Sequence, residues 1–155
     1  MNILVYKSKF CIRGSDQDDF VKNIIANIDM KLRNLFCNLY VGDKKIIFEN
    51  GFFSFLIVWN FFEIITKGEI QIEENNRLIS LSYEVSFTRH LLFWFFSSSL
   101  LFLVLIFTEV GILTAFIIPM VWIFLTFLFT QLSLYRLNSK IVDCVSESGG
   151  QIVNL

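Results

Sequence analysis

Three groups of residues in this chain are of types that could do chemistry: the aspartates Asp16, Asp18 and Asp19, the thiols Cys11, Cys37 and Cys144, and the serines Ser97, Ser98 and Ser99. Clustered carboxylates can bind a hard cation or act as an acid/base pair. These three fall within one helical turn and lack the glycine and terminal glutamate of a calcium loop. They follow Ser15, a good N-cap, and they put negative charge at the positive end of a helix dipole, which accounts for them without a metal. The cysteines are odd in number and widely spaced, and His90 is the only histidine, so neither a zinc site nor a disulfide framework can be assembled. They read as small, reduced thiols. There is no phosphate-cradling glycine loop, nucleophile elbow or histidine pair. The expectation is a non-enzyme with no catalytic, cofactor-binding or metal-binding residue and no cofactor.

The serines take their meaning from the stretch around them, His90 to Leu134, in which Glu109 is the only Asp, Glu, Lys or Arg. A membrane span needs roughly 20 mostly apolar residues. Residues 90–107 and 111–132 each meet that need, and Thr108, Glu109 and Val110 are just enough to reverse direction. The prediction is a two-helix transmembrane hairpin. Ser97 to Ser99 fall near the middle of the first span, and Pro119 and Trp122 lie at similar depth in the second. Pro119 has no amide to give, so the Ala115 carbonyl loses its helical partner, and a serine hydroxyl from the facing helix would be a natural substitute. Small residues also let helices approach closely. These five positions therefore read as packing inside the membrane.

Charges flanking the hairpin set its topology. Arg89, Arg136 and Lys140 lie on the open side and Glu109 alone on the closed side. By the positive-inside rule both termini face the cytoplasm of a bacterial-type inner membrane. The first ten residues hold two lysines and no apolar run of signal-peptide length, in agreement with that placement. The whole chain is 55% hydrophobic with 19 Phe, its net charge is -1 and its pI about 5.8, so it offers no electrostatic footprint for nucleic acid.

The elements before the hairpin form a small α+β domain. Leu4, Tyr6, Phe10 and Ile12 alternate with Val5, Lys7, Lys9 and Cys11, predicting a strand from Asn2 to Ile12. Phe20, Val21, Ile24, Ile25, Ile28, Leu32 and Leu35 fall on one stripe, predicting an amphipathic helix from Asp16 to Phe36 that covers a sheet face. Asn50-Gly51 between apolar runs predicts a tight hairpin. Ile70 and Ile72, then Ile79, Leu81, Tyr83, Val85 and Phe87, alternate with polar residues across a turn at Glu74 to Arg77, predicting an antiparallel pair with one wet face. The stretch from Phe52 to Ile65 reads as strand and loop, with an interfacial or membrane-inserted segment as the alternative, and even as a strand it carries more apolar surface than one helix-covered sheet can hide. Phe52, Phe53, Phe55, Trp59, Phe61 and Phe62 are accordingly the candidate interaction surface.

The fold class is thus membrane α+β, with a small N-terminal domain (strand, amphipathic helix, antiparallel strands) at 1–88, the hairpin at 89–135 and a short cytosolic tail at 136–155. That tail is expected to extend the helix briefly and then run loose, or to add an edge strand. The leading functional expectation is a non-enzymatic accessory or scaffold subunit whose partners are membrane lipid and a protein or second copy. The alternatives are binding or sensing of a lipid or other apolar small molecule, and, more weakly, an oligomeric pore or membrane-perturbing effector.

Overall fold

A computed structural model of the chain describes residues 5–13, 17–51, 61–75, 78–108 and 112–153. Alternation and amphipathic periodicity produce the elements they predict. Strand β1 (Val5–Arg13) is followed by helix α1 (Gln17–Leu32), strands β2 (Asn38–Val41) and β3 (Lys45–Glu49), a single 3-10 turn (Phe61–Ile64), strands β4 (Lys67–Asn75) and β5 (Leu78–Ser86), helix α2 (Thr88–Ile106), helix α3 (Ile112–Glu147) and strand β6 (Gln151–Val153). The six strands form one antiparallel sheet in the order β2-β3-β4-β5-β1-β6. Helix α1 carries the chain across the sheet, from β1 near one edge to β2 at the other.

One face of the sheet is dry. Ile46, Phe48, Ile70, Ile72, Ile79, Leu81, Tyr83 and Val85 are buried there beneath α1, which contributes Phe20, Val21, Ile24, Ile28 and Leu32. The opposite face carries cross-strand ion pairs, Lys7 to Glu84 at 2.7 Å and Lys45 to Glu69 at 2.8 Å. Lys45 holds the Glu69 carboxyl below its ordinary pKa. Exposed pairs of this kind contribute little stability, so burial on the dry face holds the domain together. Gly68 makes one of those contacts possible: the Phe48 ring lies over it, where a Cβ would come within 2.1 Å.

The Asn50-Gly51 hairpin does not form. Both edges of β3 are taken, by β2 on one side and β4 on the other. Asn50 is instead a buried clip whose side chain accepts from the Cys37 amide at 3.2 Å and donates to the Phe62 and Ile65 carbonyls at 2.8 and 3.0 Å. Turn propensity loses here to three hydrogen bonds that the buried ends of the segment need. Of the stretch read as strand and loop, residues 52–60 lie outside the described residues, and 61–64 are the 3-10 turn. The predicted N-cap at Ser15 lies outside them too, while Asp19 pairs with Lys22 at 3.9 Å in the first turns of α1.

The chain beyond the hairpin is ordered. Helix α3 continues past Leu132 to Glu147, and Leu134, Leu137, Ile141, Cys144 and Val145 enter the same core as the sheet and α1. Asn27 and Lys31 of α1 bond Ser148 at 2.9 Å and Glu147 at 2.6 Å. Gly149, at φ 81, then reverses the chain, and the Gly150 amide donates to the Val145 carbonyl at 3.0 Å in a Schellman-type cap. This aims β6 at the free edge of β1, where Cys11 faces Val153. Of the two readings of the tail, the edge strand is the one found, because the glycine pair is a helix stop and not slack.

Candidate functional site

The candidate site is the helical hairpin with its junction to the sheet, since most of the unexplained apolar surface lies there. Helices α2 and α3 are both long and apolar enough to cross a membrane, and of the most apolar stretch of each only 11% and 17% is buried inside the protein. Core helices of a water-soluble domain bury most of such a stretch. Here Phe95, Phe96, Leu100, Leu103, Phe116, Met120, Phe124 and Phe127 all face outward.

Two ring contacts fix how the helices meet. Trp94 packs edge-on against Trp122 with centroids 4.9 Å apart, and Phe102 packs against Phe116 at the same separation. Ser98 and Pro119 lie midway between these contacts on their helices, and both are buried. The predicted packing positions are therefore brought to one level of the hairpin, with Trp122 part of the contact itself. Extending the register, α2 lies alongside residues 112–130 of α3. Each segment is about 28 Å long, close to the thickness of a bilayer's hydrocarbon core.

The hydroxyls of this region are satisfied within their own helices. Ser97 and Ser99 donate to the Trp94 and Phe95 carbonyls at 3.2 and 2.9 Å. Thr126, Thr130 and Ser133 donate to carbonyls four residues back at 3.0, 2.9 and 2.8 Å. Such back-bonding lets a hydroxyl sit in an apolar medium at little cost. Ser98 is the exception: its Oγ is buried without a hydrogen-bond partner among the described residues. The predicted bond from a serine to the Ala115 carbonyl is therefore not made by Ser98, and Ser97 and Ser99 bond their own helix.

A single stripe of α3 serves both environments. Ala115, Pro119, Thr126, Thr130, Ser133, Leu137, Ile141 and Cys144 recur at three- and four-residue spacing, with one two-turn step of seven between Pro119 and Thr126, and all are buried. Between helices the stripe is small or hydroxylated, which permits close approach. Over the sheet it becomes large and aliphatic.

At the junction, β5 passes into α2 through Phe87 alone. The Arg89 amide donates to Thr66 Oγ1 at 3.3 Å, and the Lys140 ammonium stands 5.9 Å from the centre of the Phe62 ring. Arg89 and Arg136 are exposed, and Lys140 is half-buried. Glu109 lies outside the described residues. So do Phe52, Phe53, Phe55 and Trp59 of the candidate interaction surface. Phe61 opens the 3-10 turn, and Phe62 is a core residue, edge-on to Phe36 at 6.2 Å. Among the described residues, no three His, Cys, Asp or Glu side chains gather as a metal site would require. His90 accepts a 3.0 Å hydrogen bond from the Trp94 indole and buttresses the helix contact. The neighbour of His90 one turn along α2 was the legible signal for this role. The continuation of α3 into the core had its own signal in Leu134, Leu137, Ile141 and Val145.

Comparison with protein families, with curated proteins and with solved structures finds no match.

Proposed function

We propose that the chain is an integral membrane protein whose sheet domain is held against the cytoplasmic face of the bilayer, and that it acts as a non-enzymatic accessory or scaffold subunit. The observation that carries this reading is the single helix α3, apolar and outward-facing over its first half and with one face buried in the domain core over its second. A contiguous apolar surface on two paired helices is far larger than a water-facing monomer leaves bare. Lipid is the solvent that suits it. Because no flexible linker separates α3 from the core, the domain has a set orientation at the surface, as a scaffold requires. Arg89, Arg136 and Lys140 lie on the domain side, which supports a cytoplasmic location for the domain and both termini.

Membrane insertion is tested by carbonate extraction and by protease protection with tags at each end. Release into the carbonate supernatant would overturn it. The accessory role is tested by cross-linking in native membranes followed by affinity purification. A defined partner or a second copy at fixed stoichiometry is expected. A monomer that captures nothing would overturn it.

A further inference from the structure

We infer that the end of the domain facing the hairpin is a binding surface for the headgroups of acidic phospholipids, formed by Lys67, Arg89, Arg136 and Lys140. The inference rests on the membrane reading above and adds a lipid class to it. The strand register aligns Val5, Ser86, Lys67, Glu49 and Asn38 in one row across the sheet. Since Ser86 is the last residue of β5 before α2, that row is the hairpin end of the domain.

Three of the four cations are tied to one short segment there. Arg89 bonds Thr66 through its amide, Lys140 stands over Phe62, and Lys67 follows Thr66 directly. Arg136 lies one helical turn from Lys140 toward the hairpin, beside the strongly exposed Tyr135. Lys67 pairs with Glu49 at 2.8 Å, and that bond raises the Lys67 pKa, with Arg89 near enough to oppose the shift in small part. Like charges gathered beside an apolar belt favour an anion at the same boundary. In a bilayer the anion at that depth is the headgroup phosphodiester, and acidic lipids carry the uncompensated charge.

The test reconstitutes the full chain in nanodiscs of phosphatidylcholine with a minority of phosphatidylglycerol and counts the lipids retained on release by native mass spectrometry. Phosphatidylglycerol is expected above its bulk share. The preference should fall about fivefold for each charge removed by Arg89→Gln, Arg136→Gln and Lys140→Gln. Arg89→Lys and Arg136→Lys should keep it, which separates lost charge from lost folding. Retained lipid that mirrors the bulk mixture, or an unchanged preference in the triple glutamine variant, would overturn the inference while leaving insertion intact. Failure of the wild-type chain to enter nanodiscs overturns both readings.

Discussion

Replacing Ile141 by alanine asks whether the second half of α3 belongs to the domain or merely trails from the hairpin. Ile141 is 1% exposed, in a core shared by the sheet, α1 and α3. Truncating such a side chain removes its transfer free energy and leaves a cavity, for a total of about 2–5 kcal/mol. Cys144 lies one turn further on the same face, is also 1% exposed, and burial pushes its thiol up from 9.0 to about 11. In the native state it is therefore both shielded and protonated near neutral pH, so a maleimide reaches it only when the domain opens. If opening is fast relative to labelling, the rate tracks the open population. A loss of 2–5 kcal/mol then raises that rate roughly 30- to 4,000-fold. Labelling is followed by peptide mass mapping, with exposed Cys37 as the internal reference. Leu128→Ala, on an outward-facing position of the hairpin, should leave the Cys144 rate nearly unchanged. Equal rates in wild type and Ile141→Ala would show that α3 is not part of the cooperative core.

Other substitutions test separate contacts. Gly68→Ala drives a Cβ into the Phe48 ring and should destabilise by about 1–3 kcal/mol in a denaturant titration, with a smaller loss in a Phe48→Leu background. Ser98→Ala removes a buried hydroxyl without a partner among the described residues and should be neutral or stabilising by about 1 kcal/mol, whereas Ser98→Leu should overfill the contact beside Pro119. Thermal melts in detergent would decide, and a large loss in Ser98→Ala would expose a bond not seen here. Alkaline pH should weaken the domain. Burial raises Cys144 from 9.0 to about 11 and Tyr83 from 10.0 to about 12, so the unfolded chain releases these protons first. Their stability contribution is full below pH 9 and is lost as pH climbs toward 11 and 12. Cys144→Ser and Tyr83→Phe should each flatten that decline, the latter after a small fixed loss of the 3.2 Å bond from Tyr83 to Asn138.

Period and composition by themselves determined the parts whose physics is local. The alternation from Ile70 to Phe87 specified an antiparallel pair with one wet face, because a strand's side chains change face at every residue. The stripe from Phe20 to Leu32 specified a helix with one face to bury, and the apolar runs either side of Glu109 specified two helices of bilayer length. The serine, proline and tryptophan positions could be placed at one level of the hairpin because a short turn leaves only one antiparallel register.

Only the tertiary structure decided where competing local signals were resolved. Asn50-Gly51 is a good turn dipeptide in isolation, but its strand finds partners on both edges and Asn50 serves better as a buried clip. The apolar residues after Asn138 are few when read alone, and nothing local says what they would bury against. They pack against a sheet and a helix formed far earlier in the chain. Gly149 and Gly150, ambiguous in sequence between slack and stop, became a helix cap once the edge of β1 was there to receive β6. Long-range burial and edge pairing settle these choices, since neither can be read from neighbours along the chain.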